Sequence, residues 1–148
     1  MPREAAGRWG SDLNAPGTGP IRLLLVDCQP SVRRGIKMRL ALEPDLEVVG
    51  EACDAAEAIS LARALVPDVI LMDLSMPVFN GLDATRLLRE VVPSTAIVIF
   101  SAFETADLKR QAYEAGAVAY LPKGCSNERL RATLEAAVTV VGSNLRRA

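Results

Sequence analysis

Four polar residues stand where buried segments of this 148-residue chain end, and their types suit phosphoryl chemistry. They are Asp27 after IRLLLV, Asp73 after VILM, Ser101 after AIVIF and Lys123 two residues after AYL. Two carboxylates about 4 Å apart repel by roughly 4 kcal/mol at an effective dielectric near 20, so they attract a cation. Oxygen ligands suit Mg²⁺, which also bridges to phosphate. A hydroxyl and an ammonium group can bind the phosphate itself. The set predicts phosphoryl transfer to Asp73.

The segment around Asp73 predicts where that carboxylate lies. Residues 69–72 form an apolar run that is too short for a helix and apolar on both faces, which is typical of a central parallel strand. Pro77 and the Asn80-Gly81 pair break regular structure, and Asn80 can cap the helix that follows. We therefore expect Asp73 at the carboxyl edge of a sheet, where ligands bind in open α/β folds.

Strand and helix patterns alternate five times along the chain. The predicted strands cover residues 21–27, 46–51, 69–72, 95–100 and 118–121. The predicted helices cover residues 30–40, 55–65, 82–91 and 104–115, the last of these capped by Gly116, and a final helix capped by Ser126. This alternation predicts a parallel, doubly wound α/β sheet with helices on both faces. In the flavodoxin-like strand order 2-1-3-4-5, the first and third strands are neighbours, which would bring Asp27 close to Asp73.

Composition favours one intracellular domain and excludes several classes of function. Half of the residues are hydrophobic, and 17 basic against 18 acidic residues give a net charge of -1, which argues against binding nucleic acid or a membrane through bulk charge. Three scattered cysteines and the lack of histidine argue against a disulfide framework or a zinc finger. The sequence shows neither a signal peptide nor an apolar run of the roughly 18 residues that a membrane helix needs, so we expect a soluble, cytoplasmic protein.

The pattern of hydrophobicity predicts three regions. Residues 1–20 are rich in glycine and proline without a sustained period, which is typical of a flexible leader. Residues 21–141 carry the five strand and helix patterns and are predicted to form the domain. Residues 142–148 are predicted to be a tail or the start of a linker to a further domain.

The motifs at the strand ends resemble those of a known family. The segments LMDLSMPVFNGLDATR, FSA and AYLPKG make residues 21 to about 141 similar to the CheY-like receiver domain of bacterial two-component response regulators, in particular the NarL/LuxR type. The resemblance implies that Asp73 is the phosphoacceptor and that Ser101 and Lys123 bind the new phosphate. It also implies that Tyr120 is a switch residue, and that Asp27, Asp73 and the backbone carbonyl of Ser75 hold Mg²⁺.

The same resemblance implies the partners. A sensor histidine kinase, or a small donor such as acetyl phosphate, would supply the phosphoryl group, and the chain would be no enzyme beyond catalysing its own phosphorylation and dephosphorylation. Ser101 and Tyr120 would switch a face formed by the fourth helix, fifth strand and fifth helix, which is also the candidate homodimer face. DNA would be bound through a helix-turn-helix output domain outside this sequence, with no direct contact by these residues and no membrane contact.

Position 28 departs from the family pattern, because Cys28 stands where the second acid of the metal site is usual. A thiol in place of a hard carboxylate should weaken Mg²⁺ binding. Three interpretations remain open: a working receiver that tolerates the change, a pseudo-receiver that acts without phosphate as an interaction module, and a redox or soft-metal sensor. Elsewhere, the arginines at positions 33, 34 and 39 are predicted to form a solvated helix face.

Overall fold

Five parallel strands and five helices alternate in this protein, whose computed structural model describes residues 19–76 and 80–147, with side chains up to residue 142. In chain order the elements are β1 (Ile21–Val26), α1 (Pro30–Leu40), β2 (Leu46–Ala52), α2 (Ala55–Leu65), β3 (Val69–Met72), α3 (Gly81–Val91), β4 (Ala96–Ser101), α4 (Ala106–Ala115), β5 (Ala119–Pro122) and α5 (Asn127–Arg147). The predicted leader, apart from its last two residues, lies outside the described residues, as do Pro77 and Ala148.

The strands form one sheet in the order β2-β1-β3-β4-β5. All four neighbouring pairs are parallel. The predicted doubly wound, flavodoxin-like fold is therefore confirmed. Chain order reverses between β1 and β3, and in open α/β sheets the crevice outside such a reversal is where ligands bind.

Alternating strand residues build a separate apolar core on each face of the sheet, because successive side chains of a strand point to opposite sides. One core packs against α2, α3 and α4, and its strand residues include Leu24, Val26, Ile70, Met72, Ile97, Ile99 and Tyr120. The other packs against α1 and α5, and its strand residues include Leu23, Leu25, Val69, Leu71, Val98, Phe100 and Leu121. Burial on both faces explains why the central strands read as continuous apolar runs.

The helix ends follow the predicted capping residues. The Asn80 side chain accepts a hydrogen bond from the Asp83 amide at 3.0 Å, and the Ser126 hydroxyl accepts one from the Arg129 amide at 3.1 Å. Gly116 ends α4 in the left-handed region with φ of 117°. These caps satisfy backbone groups that have no partner within the helix.

Several boundaries differ by one or two residues from the prediction, each for a local reason. β4 begins at Ala96, not at Thr95, whose hydroxyl donates to the Pro67 carbonyl at 2.7 Å. α4 begins at Ala106 because the Thr105 side chain caps it by accepting from the Leu108 amide. β5 is shifted by one residue, to Ala119–Pro122.

The last helix, α5, extends beyond residue 141, where the predicted domain ends. α5 continues to Arg147, so residues 142–147 extend the helix, where the sequence suggested a tail or linker. Of the predicted stripe, Leu130, Leu134, Ala137 and Val141 are buried, and Val138 is partly buried. Among the residues whose side chains are described, the apolar period therefore marks the buried face of the helix.

The start of α3 touches the backbone of the strand end that carries Asp73. A Cβ atom at Gly81 would lie 2.5 Å from the Asp73 carbonyl oxygen and 2.7 Å from the Leu74 Cα atom. The Gly81 amide also donates to the Leu74 carbonyl at 3.0 Å. Glycine is required here because no side chain fits between the helix and that backbone.

Candidate functional site

The carboxyl edge of the sheet brings three of the predicted site residues together. Val26 is in register with Met72, so Asp27 and Asp73 follow the ends of two neighbouring strands. Both acids are buried, with 3% and 6% of their surface exposed. The Lys123 Nζ atom lies 2.7 Å from Asp27 Oδ2 and 3.5 Å from Asp73 Oδ1. The ammonium group therefore bridges the two carboxylates.

The carboxylates of Asp27 and Asp73 and the ammonium of Lys123 lie close together at this edge of the sheet. Burial raises the pKa of the Asp73 carboxyl above its usual value; the Lys123 ammonium offsets part of that rise, and the Asp27 carboxylate adds to it. Burial alone would lower the pKa of Lys123, but its hydrogen bond with Asp27 and the charge of Asp73 outweigh that effect and raise it. Lys123 therefore stays protonated and partly neutralises the acids.

The end of β1 is fixed by contacts from α1. Asp27 Oδ1 accepts a hydrogen bond from the Gln29 amide at 3.0 Å, which orients the carboxylate. The backbone carbonyl of Asp27 accepts one from Arg33, whose Nε atom pairs with Glu51 Oε1 at 3.0 Å. Arg33 thus ties the turn after β1 to β2.

Cys28 and Ser75 lie next to the two acids, where the cation site is predicted. One ligand atom each from Asp27, Cys28 and Asp73 lies within 4.8 Å of the other two. The Cys28 thiol donates to the Ser75 carbonyl oxygen, with the sulfur 3.6 Å from that oxygen. Two carboxylates and a carbonyl are hard oxygen donors and fit Mg²⁺, which fills its other positions with water or phosphate. With Cys28 in place of an acid, the set carries one negative charge fewer than the family pattern.

Ser101 ends β4, the strand between those that lead to Asp73 and to Lys123, and Tyr120 lies in β5. Ser101 is buried, and its Oγ atom accepts a hydrogen bond from the Phe103 amide at 3.1 Å. Tyr120 is also buried, and its hydroxyl donates to the Phe103 carbonyl. The two predicted switch residues are therefore linked through the backbone of the exposed Phe103. A cavity of about 290 Å³ lies beside them, and its walls include Leu74, Ser75, Leu82, Ser101, Phe103 and Leu108.

Sequence reasoning missed the role of two arginines. The prediction of a solvated face is wrong for Arg33 and Arg39, which are partly buried and hydrogen-bonded, while Arg34 is exposed. Arg39 donates from α1 to the loop between β5 and α5, including the Lys123 carbonyl. One signal was available: Arg39 follows Ile36 by three residues, and this spacing places it beside the buried helix stripe.

The strand order, the paired acids at the point where it reverses and the lysine after the last strand define the CheY-like class of flavodoxin-like folds. The sequence pattern of the response regulator receiver domain matches residues 23–135. The chain therefore belongs to the response regulator receiver domain family, which places it in two-component signalling.

Individual relatives refine this assignment to the NarL/LuxR type. The chain is 40% identical over 117 residues to the uncharacterized transcriptional regulatory protein YxjL of Bacillus subtilis, a match that covers 79% of this chain and 54% of the relative. It is 41% identical over 118 residues to the nitrate/nitrite response regulator protein NarL of Escherichia coli, which covers 80% of this chain and 55% of the relative. The chain thus spans about half the length of these curated relatives.

Solved structures agree with the sequence relatives. A two-component response regulator of the LuxR family from Aurantimonas sp. superimposes with a TM-score of 0.77 at 36% identity, over 81% of this chain and 86% of that one. Within the described residues, no helix combines the length and apolar character that crossing a membrane would require.

Proposed function

We propose that this receiver domain is switched by phosphorylation of Asp73. The observation that carries the proposal is the bridge of Lys123 between the buried carboxylates of Asp27 and Asp73 at the end of neighbouring strands. The arrangement supports the proposal because a carboxylate that could act as the nucleophile lies close to a second acid, which attracts cations, and to a fixed positive charge. Such positioning and charge compensation are what phosphoryl transfer requires of a protein.

In the proposed step, a carboxylate oxygen of Asp73 attacks the phosphorus of a phosphohistidine in a sensor kinase, or of acetyl phosphate. A bond forms between that oxygen and phosphorus, and the bond from phosphorus to the histidine nitrogen or acetate oxygen breaks. The leaving group keeps the electron pair; acetate departs as the anion, and a histidine nitrogen can take a proton from solvent. Lys123 stays protonated and neutralises charge on the transferred oxygens.

Asp27, Asp73 and the Ser75 carbonyl are the residues that would hold Mg²⁺. Bound there, the ion would supply further neutralisation of negative charge on the phosphoryl oxygens. Because Cys28 contributes no charge while its thiol is protonated, Asp27 bears most of the electrostatic attraction outside the nucleophile itself. The proposed affinity for Mg²⁺ is therefore low.

The product carries about -2 charge and would attract hydroxyl and ammonium donors. We expect Ser101 to leave the Phe103 amide and donate to the phosphate. The link from Phe103 to Tyr120 would then loosen, which shifts the balance between two arrangements of the surface around α4, β5 and α5. An apolar groove of about 260 Å³ on this surface, with Val118, Ala119, Ala132, Ala136 and Val140 among its walls, supports it as a homodimer face.

The wider role is also part of the proposal. The sensor kinase is the expected phosphoryl donor, and the transcriptional regulators among the relatives suggest that output reaches DNA through a domain outside this sequence. These residues would not contact nucleic acid or a membrane directly. Beyond its own phosphorylation and dephosphorylation, the domain would catalyse no reaction.

Labelling by acetyl phosphate with Mg²⁺, followed by intact mass, tests the proposal. We expect one phosphoryl group on the native chain and none on Asp73→Asn. Asp83→Asn, at a partly exposed position in α3, is the matched control and should label normally. Undiminished labelling of Asp73→Asn would contradict the proposal.

The second candidate is a pseudo-receiver that acts as an interaction module without phosphate. The thiol of Cys28 next to the Ser75 carbonyl is the observation that favours it, because this replaces an acid by a neutral group. Labelling of Cys28→Asp but not of the native chain would support this candidate. Labelling of both at similar rates would exclude it.

A further inference from the structure

Arg39 reaches from α1 to the loop between β5 and α5, and each of its three guanidinium nitrogens has a different partner. Nε donates to Asn127 Oδ1 at 2.7 Å, one terminal nitrogen to the Lys123 carbonyl at 3.2 Å, and the other to the Cys125 carbonyl at 2.6 Å. A single side chain of α1 thus holds both ends of the short turn that follows Lys123.

The guanidinium is itself held in place. It lies over the Phe100 ring, with its central carbon 5.8 Å from the ring centroid. The Asn127 side-chain amide also donates back to the Arg39 carbonyl at 3.4 Å. The planar guanidinium group of arginine has N–H donors in fixed directions and can donate to three acceptors at once. The ammonium group of lysine, at the end of a flexible side chain, lacks that geometry.

The turn has one internal backbone hydrogen bond, from the Cys125 amide to the Pro122 carbonyl at 3.1 Å, and its middle residue is weakly restrained. Gly124 has no atom within 4 Å of a Cβ position and is exposed, so neither a side chain nor packing restrains it. The Lys123 amide donates to the Ser101 carbonyl at 2.8 Å, which fixes one side of that residue. The bond from Arg39 to the Lys123 carbonyl fixes the other side.

The position of the Lys123 backbone determines where its ammonium group can reach. From this backbone the side chain extends to Asp27 and Asp73, at 2.7 and 3.5 Å. We propose that Arg39 is a positioning residue for phosphoryl transfer, which holds the loop so that Lys123 bridges the two acids. The proposal rests on the proposed role of Asp73, and Arg39 itself touches no reacting atom.

Replacing Arg39 by Gln removes the guanidinium group and keeps a polar side chain. We expect the rate of Asp73 labelling by acetyl phosphate to fall about tenfold, since a displacement near 1 Å can cost up to 100-fold. Hydrogen exchange at the Lys123 amide should become faster, and the NMR signal of Lys123 Cε should move toward that of an unpaired lysine. Arg39→Lys should give intermediate values.

Arg131→Gln is the matched control. Arg131 also joins α5 to the region after α1, through Glu43 at 3.1 Å, and its described bonds do not involve the Lys123 loop. We expect this variant to label at the native rate with unchanged Lys123 signals. All variants are compared at a temperature where circular dichroism shows them folded, with Arg39→Lys replacing Arg39→Gln if the latter is unfolded.

The outcomes separate this proposal from the one on which it rests. A native labelling rate in Arg39→Gln, or unchanged Lys123 signals in it, would overturn the positioning role. Equal effects of Arg39→Gln and Arg131→Gln would overturn it too, because they would indicate a general loss of stability. If the native chain takes no label, the proposed function fails, while the Lys123 amide exchange and Cε signal still decide whether Arg39 positions this lysine.

Discussion

The two sides of the Asp73 site differ in how closely they follow the family pattern. On the cation side, Asp27 and the Ser75 carbonyl are present, but Cys28 replaces an acid. On the phosphate side, the pattern is complete, with Ser101, Tyr120 and Lys123 in place. The residues that the family pattern assigns to the phosphate are thus all present, whereas one acid that it assigns to the cation is replaced.

Lys123 connects the two sides. Its Nζ atom lies closer to Asp27 than to Asp73, so the lysine neutralises the acid of the cation side as well as the nucleophile. Because Mg²⁺ is expected to bind weakly without the second acid, this lysine would supply a larger share of the positive charge at a transferred phosphoryl group. The difference between the two sides therefore predicts that variants on the phosphate side have the larger effect on labelling.

Among variants that keep Asp73, the largest expected effect on labelling is that of Lys123→Ala. Removing the ammonium should lower the rate of Asp73 labelling at least 100-fold, which is the typical cost of losing one preorganised group that stabilises a transition state. The rate of mass increase with acetyl phosphate measures it. Lys109→Ala, which removes a partly exposed lysine paired with Glu104, should label normally. A loss of less than tenfold in Lys123→Ala would mean that the cation side dominates after all.

Cys28→Asp should restore the cation side. A third carboxylate near Asp27 and Asp73 should raise the affinity for Mg²⁺ about tenfold or more, since unit charges 4 Å apart interact by roughly 4 kcal/mol at a dielectric of 20. Isothermal titration calorimetry measures the dissociation constant. Cys28→Asn has the same shape without the charge and should show no gain. An equal gain in both variants would attribute the effect to shape and remove the distinction between the two sides.

Asp73→Asn should stabilise the domain at neutral pH. Burial raises the Asp73 pKa in the folded state, so between the unfolded and folded values the folded chain binds more protons, and stability falls as pH rises. The uncharged side chain of the Asp73→Asn variant does not ionise, so this variant should have a free energy of unfolding that is higher by roughly 0.5–2 kcal/mol at pH 7. The gain should vanish below the ordinary aspartate pKa. Urea unfolding at both pH values tests this, and a less stable variant at pH 7 would contradict it.

The smallest effect is expected for Tyr120→Phe, which removes the hydroxyl that donates to the Phe103 carbonyl. The free energy of unfolding should fall by about 1 kcal/mol, as for a typical hydrogen bond, with no change in Mg²⁺ affinity. Tyr113→Phe, at a half-exposed tyrosine of α4, should be neutral. If Tyr120→Phe altered the Mg²⁺ affinity, the hydrogen bond of Tyr120 on the phosphate side would influence the cation side even before Asp73 is phosphorylated.

The fold was predictable because its signals are local and repeated. Each apolar run of the central strands is buried on both faces, and residues such as Asn80, Gly116 and Ser126 mark helix ends by their own chemistry. The errors arose where a tertiary contact decides a boundary. Thr95, for example, bonds the Pro67 carbonyl and lies outside β4.

The site was predictable in its acids and lysine but not in what supports them. Topology alone brings Asp27 and Asp73 together, because neighbouring parallel strands end at one edge of the sheet. Arg39 contacts residues that are 84 to 88 positions away in sequence, so helix periodicity gives at most a hint of its location. The roles assigned to Ser101, Tyr120 and Ser75 remain predictions.

Cys28 also provides a thiol next to the site that can be labelled chemically. Its thiol is partly exposed, lies beside the Ser75 carbonyl and is within 4.8 Å of a carboxylate oxygen of Asp73. Once Cys53 and Cys125 are replaced by serine, a thiol-reactive fluorophore or spin label attached at Cys28 would report from the site without any introduced cysteine. An ion or phosphoryl group that bound at the acids would compete with that label for the same space, so a change in the label's signal would report the proposed loading.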